Sequence, residues 1–296
     1  MPSNTAVQQL HALQYNLKQL GPVAVAVSGG VDSMTLAVIA HRLDVRSEIF
    51  HAISPAVPKA ATERVEHYAQ LEGWQLKLVD AGEMANENYR SNPVNRCYYC
   101  KTQLYRAIAM ATSLPLVSGT NLDDLDDYRP GLIAATEHQV AHPFVEAGID
   151  KTALRAIARY LQLTDLAELP AAPCLSSRVS TGITIDVAVL QLIEKVETEI
   201  WRQFNSDSEL SAVRCRILRN QVAVQLAGQL NIDDGQTIAA IQQLVRVKLA
   251  DGPYQHITTI KVEPYQRGSA FIHNKNSIAP AQKSKVETVI PAVNLG

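Results

Sequence analysis

Positive charge is not in surplus in this chain. Its 27 lysines and arginines stand against 29 aspartates and glutamates, giving a formal net charge of −2 and a pI of about 6.4. A protein whose main partner is RNA more often shows a basic balance or a basic stripe, although a local patch fits inside a neutral total. Long apolar runs are absent too. Nothing approaches membrane-spanning length, and residues 1–20 lack the basic-then-apolar order of a signal segment. These absences predict a cytoplasmic protein. There is no internal repeat. Cysteine is scarce, four in 296 residues, and in a cytoplasmic chain structural disulfides are not expected. What remains is ordinary for a globular protein, 47% hydrophobic and 19% charged, and long enough for two domains with their own cores.

Also absent is a Gly-Lys-Ser/Thr ending after any strand-and-glycine turn, which excludes the P-loop of kinases and GTPases. In its place residues 23–27, Val-Ala-Val-Ala-Val, run into Ser28-Gly29-Gly30-Val31-Asp32-Ser33. Two adjacent glycines allow a tight turn with exposed N–H groups, and a helix beginning at Asp32 or Ser33 points its positive end into the same space. Ser28 and Ser33 offer hydroxyls, and Asp32 could hold a metal ion or the ribose–phosphate side. A chance Gly-Gly turn is the bland alternative. The β-branched run before it and the apolar-periodic helix after it argue for phosphate binding.

The wider pattern predicts helices near 6–20, 33–43 and 59–72 and strands near 23–27, 47–53, 74–79 and 114–118. Such alternation predicts an α/β domain with a parallel sheet covered by helices on both faces. Ligands of such sheets lie beyond the carboxyl ends of the strands, where the 28–33 loop and the stretch from Gly119 to Gly131 both fall. After about residue 185 the order becomes αββαβ, with a hairpin across Arg219-Asn220. The expected division is 1–185, a smaller α+β domain at 186–273, and a loosely held tail at 274–296.

Cys97 and Cys100 lie in Asn95-Arg-Cys-Tyr-Tyr-Cys-Lys101, and Cys174 in Ala172-Pro-Cys-Leu-Ser-Ser-Arg178. A Cys-x-x-Cys pair places two sulfurs on one side of a tight turn, suited to share a metal centre. Arg96, Lys101 and Arg178 are expected to favour thiolates. Cys215 alternates with Arg214 and Arg216 on a strand, so it reads as a small core residue. Structural zinc, a redox pair, a three-cysteine [4Fe–4S] cluster and unrelated thiols all remain open on spacing alone.

The hexapeptide at 28–33 resembles the PP-loop of the ATP pyrophosphatase superfamily (adenine nucleotide α-hydrolase-like), whose members cut ATP between the α and β phosphates and activate a substrate as its adenylate. Together with the two cysteine segments and Gly119-Thr-Asn-Leu-Asp-Asp-Leu-Asp-Asp-Tyr-Arg-Pro-Gly131, it resembles the LarE-type ATP-dependent sulfur transferases of nickel-pincer nucleotide biosynthesis. The likeness is weaker at Arg214-Cys-Arg216 and Arg267-Gly268. It implies adenylation of a carboxylate of pyridinium-3,5-biscarboxylic acid mononucleotide, release of pyrophosphate, and displacement of AMP by sulfur. Family members are similar in two versions. In one, a cysteine at the position of Cys174 gives up its own sulfur. In the other, cysteines at the positions of Cys97, Cys100 and Cys174 hold a [4Fe–4S] cluster that can carry an extra sulfide. With all three present, this chain looks like the cluster version, drawing on sulfide or another sulfur donor. The resemblance also suggests a homo-oligomer.

On this reading Ser28, Gly29, Gly30, Asp32, Ser33 and Gly119 serve the nucleotide with Mg²⁺. Of Asp123, Asp124, Asp126 and Asp127 one could supply a metal ligand, the others being a solvated acidic turn; Asp127 and Arg129 are the chosen candidates. Arg214 and Arg216, two apart on a strand, would clamp the substrate phosphate, unless they are a solvent-facing pair. Cys174, Asp32 and Arg178 are the expected catalytic groups, Arg178 for the substrate anion or the AMP phosphate. Glu199 reads as a helix-surface acid. After Arg178 the chain has Val-Ser-Thr-Gly where the family more often has Phe-Pro-Tyr-Gly, which alters one wall of the substrate pocket. Rival readings are a tRNA thiolase, an ammonia-using amidase, which gives the three cysteines no job, and a non-catalytic nucleotide-binding iron–sulfur carrier.

Overall fold

The computed structural model describes residues 4–126, 129–205, 210–231, 234–250, 252 and 254–265. The elements run α1 (Asn4–Leu20), β1 (Val23–Val27), α2 (Val31–Arg42), β2 (Ser47–Ala52), α3 (Lys59–Glu72), β3 (Gln75–Val79), α4 (Glu87–Arg90), α5 (Arg96–Ala111) and β4 (Leu116–Ser118). They continue as α6 (Pro130–Glu137), α7 (Pro143–Glu146), α8 (Lys151–Tyr160), α9 (Thr164–Ala167), α10 (Val187–Phe204), β5 (Leu210–Leu218), β6 (Gln221–Gly228), α11 (Gly235–Ala250) and β7 (Thr259–Pro264). No helix among the described residues is long and apolar enough to cross a membrane. Asp127, the Arg267-Gly268 pair and the 274–296 tail lie outside the described residues.

The first four strands form one all-parallel sheet in the order β3-β2-β1-β4, as the alternating pattern predicts. Every residue of β1 is buried, because the strand feeds two cores by its period of two. Val23, Val25 and Val27 join Ile49 and Val117 in a core closed by α1, α2, α8 and α9. Ala24 and Ala26 face the other way, with Phe50 and Leu116, toward Tyr105 and Ile108 of α5 and Ala134 and Ala135 of α6. Strand order reverses between β2 and β4 on either side of β1, which opens a crevice at the carboxyl ends.

That crevice is set by two glycines. Gly29 has φ +77°, and a Cβ there would lie 2.7 Å from the Ala61 carbonyl oxygen. At Gly119, just past β4, a Cβ would lie 2.6 Å from the Ser33 backbone nitrogen. The end of β4 therefore touches the first turn of α2, which begins at Val31, one or two residues before the sequence places it.

A second, smaller unit holds β5, β6 and β7 in that order, β5–β6 antiparallel and β6–β7 parallel. Buried faces of α10 and α11 cover it, with Ile193, Val196, Ile200, Ile241 and Val245 in its core. Its αββαβ order and its turn at Arg219-Asn220 match the sequence pattern. The core also takes in Ala56, Tyr89, Leu175 and Val179. Val179 bridges Ile217, and Ser180 N–H donates to the Ile217 carbonyl at 3.0 Å. The chain just after Cys174 is thus bound to the second core.

Gly119→Ala is expected to lower stability by about 1–3 kcal/mol, because the added methyl meets backbone rather than a flexible side chain. Gly21→Ala, with φ +70° and nothing within 4 Å of the added carbon, should cost about 1 kcal/mol, the left-handed backbone strain alone. Urea unfolding of both variants checks the difference.

Candidate active site

At the end of β1 the loop is tied by its own hydroxyls. Ser33 Oγ accepts from Ser28 N–H at 3.0 Å, lies 3.2 Å from Ser28 Oγ and reaches the Gly30 carbonyl at 3.3 Å. Gly30 sits at the N-cap of α2 without a side-chain cap, its own N–H reaching Ser28 Oγ at 3.4 Å, and a helix N-terminus of this kind favours an anion. Behind the loop, Arg64 Nη1 donates to the Gly29 carbonyl at 2.9 Å. These contacts hold Ser28, Gly29, Gly30 and Ser33 in one turn.

Asp32, in the first turn of α2, is half-enclosed and paired with Lys151. Lys151 Nζ stands 2.5 and 2.6 Å from the two carboxylate oxygens, and Asn121 Nδ2 approaches one of them at 3.4 Å. Burial pushes the Asp32 carboxyl above its ordinary range, with the Lys151 ammonium pulling the other way. Lys151 was not visible to sequence reasoning. It opens α8, capped by Asp150, and nothing in local spacing connects it to a residue 119 positions earlier.

The acidic loop after β4 is largely committed to its own turns. Asn121 and Asp124 form a reciprocal capping box around the 3-10 turn Leu122–Asp124. Asp123 accepts from the Lys151 N–H at 3.3 Å, and Asp124 pairs with Arg129 at 2.9 Å. Two of the four acids are thus structural, as a solvated turn would have them. Near the loop, Ser118 Oγ lies 3.0 Å from both Thr120 Oγ1 and His142 Nδ1, and burial pushes the His142 imidazole down.

Cys97 and Cys100 do not lie in a tight turn. They occupy the second and fifth positions of α5, three apart and therefore on one helical face. Beside the first turn of α5, Gly131 at the start of α6 closes on Lys101 and the Cys97 carbonyl. Cys174 immediately precedes the 3-10 turn Leu175–Arg178. The three sulfurs are electrostatic neighbours. Loss of solvent, and after it the charge of Cys174, push the Cys97 thiol up and the Cys100 thiol to about 12. Arg96 and Lys101 pull Cys97, which is exposed, back toward the thiolate. Arg96 is itself turned inward, donating to Asn92 Oδ1 at 2.6 Å. All four cysteines are free, and Cys215 is fully buried in the second core. Among the described residues no three His, Cys, Asp or Glu side chains are arranged to hold a metal ion.

Around Cys174 the arginines serve the protein. Arg178 is 2% exposed. Its Nε and Nη2 reach the Glu197 carboxylate at 2.9 and 3.1 Å, and Nη1 reaches the carbonyls of Pro173 and Cys174 and Ser177 Oγ. Arg216, buried as well, donates to Gln225 Oε1 at 2.5 Å and to the Ser177 carbonyl at 3.1 Å. Arg214 donates to the carbonyls of Val213 and Ala171 and lies over the Tyr265 ring. The two are not a solvent-facing pair. Burial pushes both guanidinium groups down from their ordinary value. Glu199 bonds Arg202 and Gln203 on its own helix, a surface acid as expected, whereas Glu197 was missed.

No protein-family model matches the chain. It is 36% identical over 223 residues to an uncharacterized protein of Synechocystis, covering 72% of this chain and 83% of that one. A second uncharacterized protein, from Methanocaldococcus jannaschii, is 25% identical over 232 residues, 76% of this chain and 86% of the relative. The pyridinium-3,5-bisthiocarboxylic acid mononucleotide synthase of Lactiplantibacillus plantarum is 30% identical over 197 residues, which cover 60% of this chain and 68% of the synthase. With the nucleotide-type loop at the sheet's switch point and Cys174 at the second core, this chain belongs to the LarE-type family of the pyridinium-3,5-bisthiocarboxylic acid mononucleotide synthase.

Proposed function

We propose that this protein uses ATP to activate a carboxylate of pyridinium-3,5-biscarboxylic acid mononucleotide and replaces the activated oxygen with sulfur. The observation that carries the reading is one of placement. The acidic loop after β4 links the two motifs: Asp124 acts on Asp32 of the 28–33 turn and pairs with Arg129, whose charge reaches Cys97 in the first turn of α5.

A carboxylate oxygen leaves poorly and AMP leaves well, so adenylation comes first. Attack of the carboxylate on the α phosphorus forms the acyl–AMP bond and breaks the α–β anhydride, releasing pyrophosphate. The departing charge falls on the N–H groups of Gly29, Gly30 and the first turn of α2, with the hydroxyls of Ser28 and Ser33 beside them. ATP enters as its magnesium complex, and Asp32 is the carboxylate that faces it. Lys151 and Asp32 neutralise each other while the site is open. When the nucleotide enters, the ammonium turns to the phosphates and the carboxylate to the magnesium ion, so no charge is left unpaired. Gly119 serves the nucleotide indirectly, by letting the end of β4 close on the first turn of α2, and Arg129, paired with Asp124, borders that side of the loop. Arg214 is the better placed of the strand arginines for the substrate phosphate, since Arg216 is buried.

In the second step a sulfur nucleophile attacks the acyl carbon, the C–S bond forms, and AMP leaves with the C–O bond electrons. Cys97, Cys100 and Cys174 are the residues that would hold a [4Fe–4S] group. What supports that role is chemical, three thiols free of disulfides that sense one another's charge, although the described side chains are not arranged as a metal site. Such a group supplies an iron without a cysteine ligand, able to carry sulfide.

Wild-type protein should release pyrophosphate only with ATP and the pyridinium mononucleotide together, and not with tRNA as acceptor. Lys151→Met should slow that release by about 100-fold, the loss typical of one preorganised donor to developing charge. Pyrophosphate release unaffected by Lys151→Met would remove Lys151 from the nucleotide site.

Anaerobically prepared protein should contain about four iron and four acid-labile sulfide per chain, and Cys97→Ala should lose both. Zinc, or no metal at all, would sink the cluster and leave Cys174 as its own sulfur donor, detectable as a loss of mass at that residue after turnover.

A further inference from the structure

The chain from Ala171 to Arg178 is exposed through Pro173, half-buried at Cys174 and buried from Leu175. Apart from the short turn Leu175–Arg178 it has no ladder of its own. Its backbone acceptors are taken by guanidinium groups instead. Arg214 holds the Ala171 carbonyl at 2.6 Å, Arg178 those of Pro173 and Cys174 at 2.5 and 3.1 Å, and Arg216 that of Ser177 at 3.1 Å. On the far side, Tyr89 Oη and Ser176 Oγ lie 2.6 Å apart in the interior.

Of these cations, Arg178 is ion-paired with a carboxylate. Its guanidinium meets the Glu197 carboxylate edge to edge, and Glu197 Oε1 also accepts the Cys215 backbone N–H at 2.8 Å. One carboxylate thereby joins α10, β5 and the cation that holds the Cys174 carbonyl. A planar fork can take two carboxylate oxygens on one edge and carbonyl oxygens on the other; a lysine cannot.

We propose that Arg178 and Glu197 are a positioning pair for Cys174: they fix the backbone from which the sulfur-bearing side chain springs, and Arg178 contacts neither the substrate anion nor the AMP phosphate. This replaces the anion contact expected of Arg178 from sequence. The inference rests on the sulfur-transfer reading, and it separates the two half-reactions. Adenylation uses the 28–33 loop and does not need the pair. Displacement of AMP needs sulfur and acyl carbon in line, where a misplacement of about 1 Å costs about 100-fold.

The test compares wild type with Arg178→Lys and Glu197→Gln. Pyrophosphate release should stay within about threefold of wild type, with KM for ATP and for the mononucleotide unchanged, while kcat for thiocarboxylate formation falls about 100-fold. Millimolar guanidinium ion should restore sulfur transfer to Arg178→Gly. A raised KM for the mononucleotide with unchanged kcat would place Arg178 on the substrate and overturn the proposal. Equal loss of both half-reactions would overturn it as well. Should the single variants not fold, an apolar replacement of both partners, Arg178→Met with Glu197→Leu, keeps the core filled and must show the same split. Amide hydrogen exchange needs no substrate: in Arg178→Lys, residues 174–178 should exchange faster and residues 28–33 should not. Unchanged exchange at 174–178 refutes the pair. Faster exchange in a protein that releases no pyrophosphate refutes the sulfur-transfer reading and leaves the pair standing.

Discussion

The contact on which this structure depends is the meeting of two backbones at Gly119 and Ser33. Strand order reverses there, so β4 leaves the sheet while α2 begins, and the two must share one small volume. With 2.6 Å between a would-be Cβ and the Ser33 nitrogen, only glycine allows it. Everything near the crevice follows from that approach. The 28–33 turn is pressed between the end of β4 and Ala61, and Asn121, two residues past Gly119, comes within reach of Asp32. The same turn ties up Asp124, because Asn121 and Asp124 cap each other.

Charge is arranged differently in the two halves of the molecule. Beside the nucleotide-type loop, Asp32 and Lys151 are partly solvated, with side chains 27% and 34% exposed. A pair in that setting can exchange partners, since each group can be rehydrated or re-paired without crossing a dry interior. Arg178 and Glu197 are enclosed, with side chains 2% and 14% exposed. Removing one partner there strands a charge in low dielectric, and such pairs are broken only at large cost. The first arrangement suits a site that must accept and release a charged ligand. The second suits a fixture.

How much of this was legible in the sequence depends on the range of the interaction. The parallel sheet was, because Val23–Val27 and its neighbours bury both faces and give continuous apolar runs. Loop residues 28–33 were, because glycine pairs after a strand have few other uses. The helical setting of Cys97 and Cys100 was misread as a turn, since four residues carry no periodicity of their own and the stretch up to Ala111 was not assigned. Lys151 was out of reach, its partner lying across the fold. Glu197 is more instructive. Val189, Ile193, Val196 and Ile200 mark the inner face of α10, and Glu197 follows Ile193 by four and precedes Ile200 by three. The period that assigns the helix places Glu197 inward and turns Glu199 out.

An inward acid on an apolar face is a request for a cation, and Arg178 of the 3-10 turn answers it, with Arg214 and Arg216 of β5 around the same cysteine segment. The segment is also held by the Leu175 N–H on the Ala56 carbonyl and by Tyr89 on Ser176. Carbonyl groups at 171, 173, 174 and 177 join no ladder, because the chain surfaces at Pro173 and then descends past Cys174 to bridge Ile217. Hydrogen bonds from guanidinium groups satisfy those carbonyls without imposing a regular conformation. They also leave the cysteine side chain free of backbone duty. A strand or a helix at this point would have fixed the segment just as firmly, but its own period would have dictated where the sulfur points. The arginines separate holding the backbone from aiming the side chain.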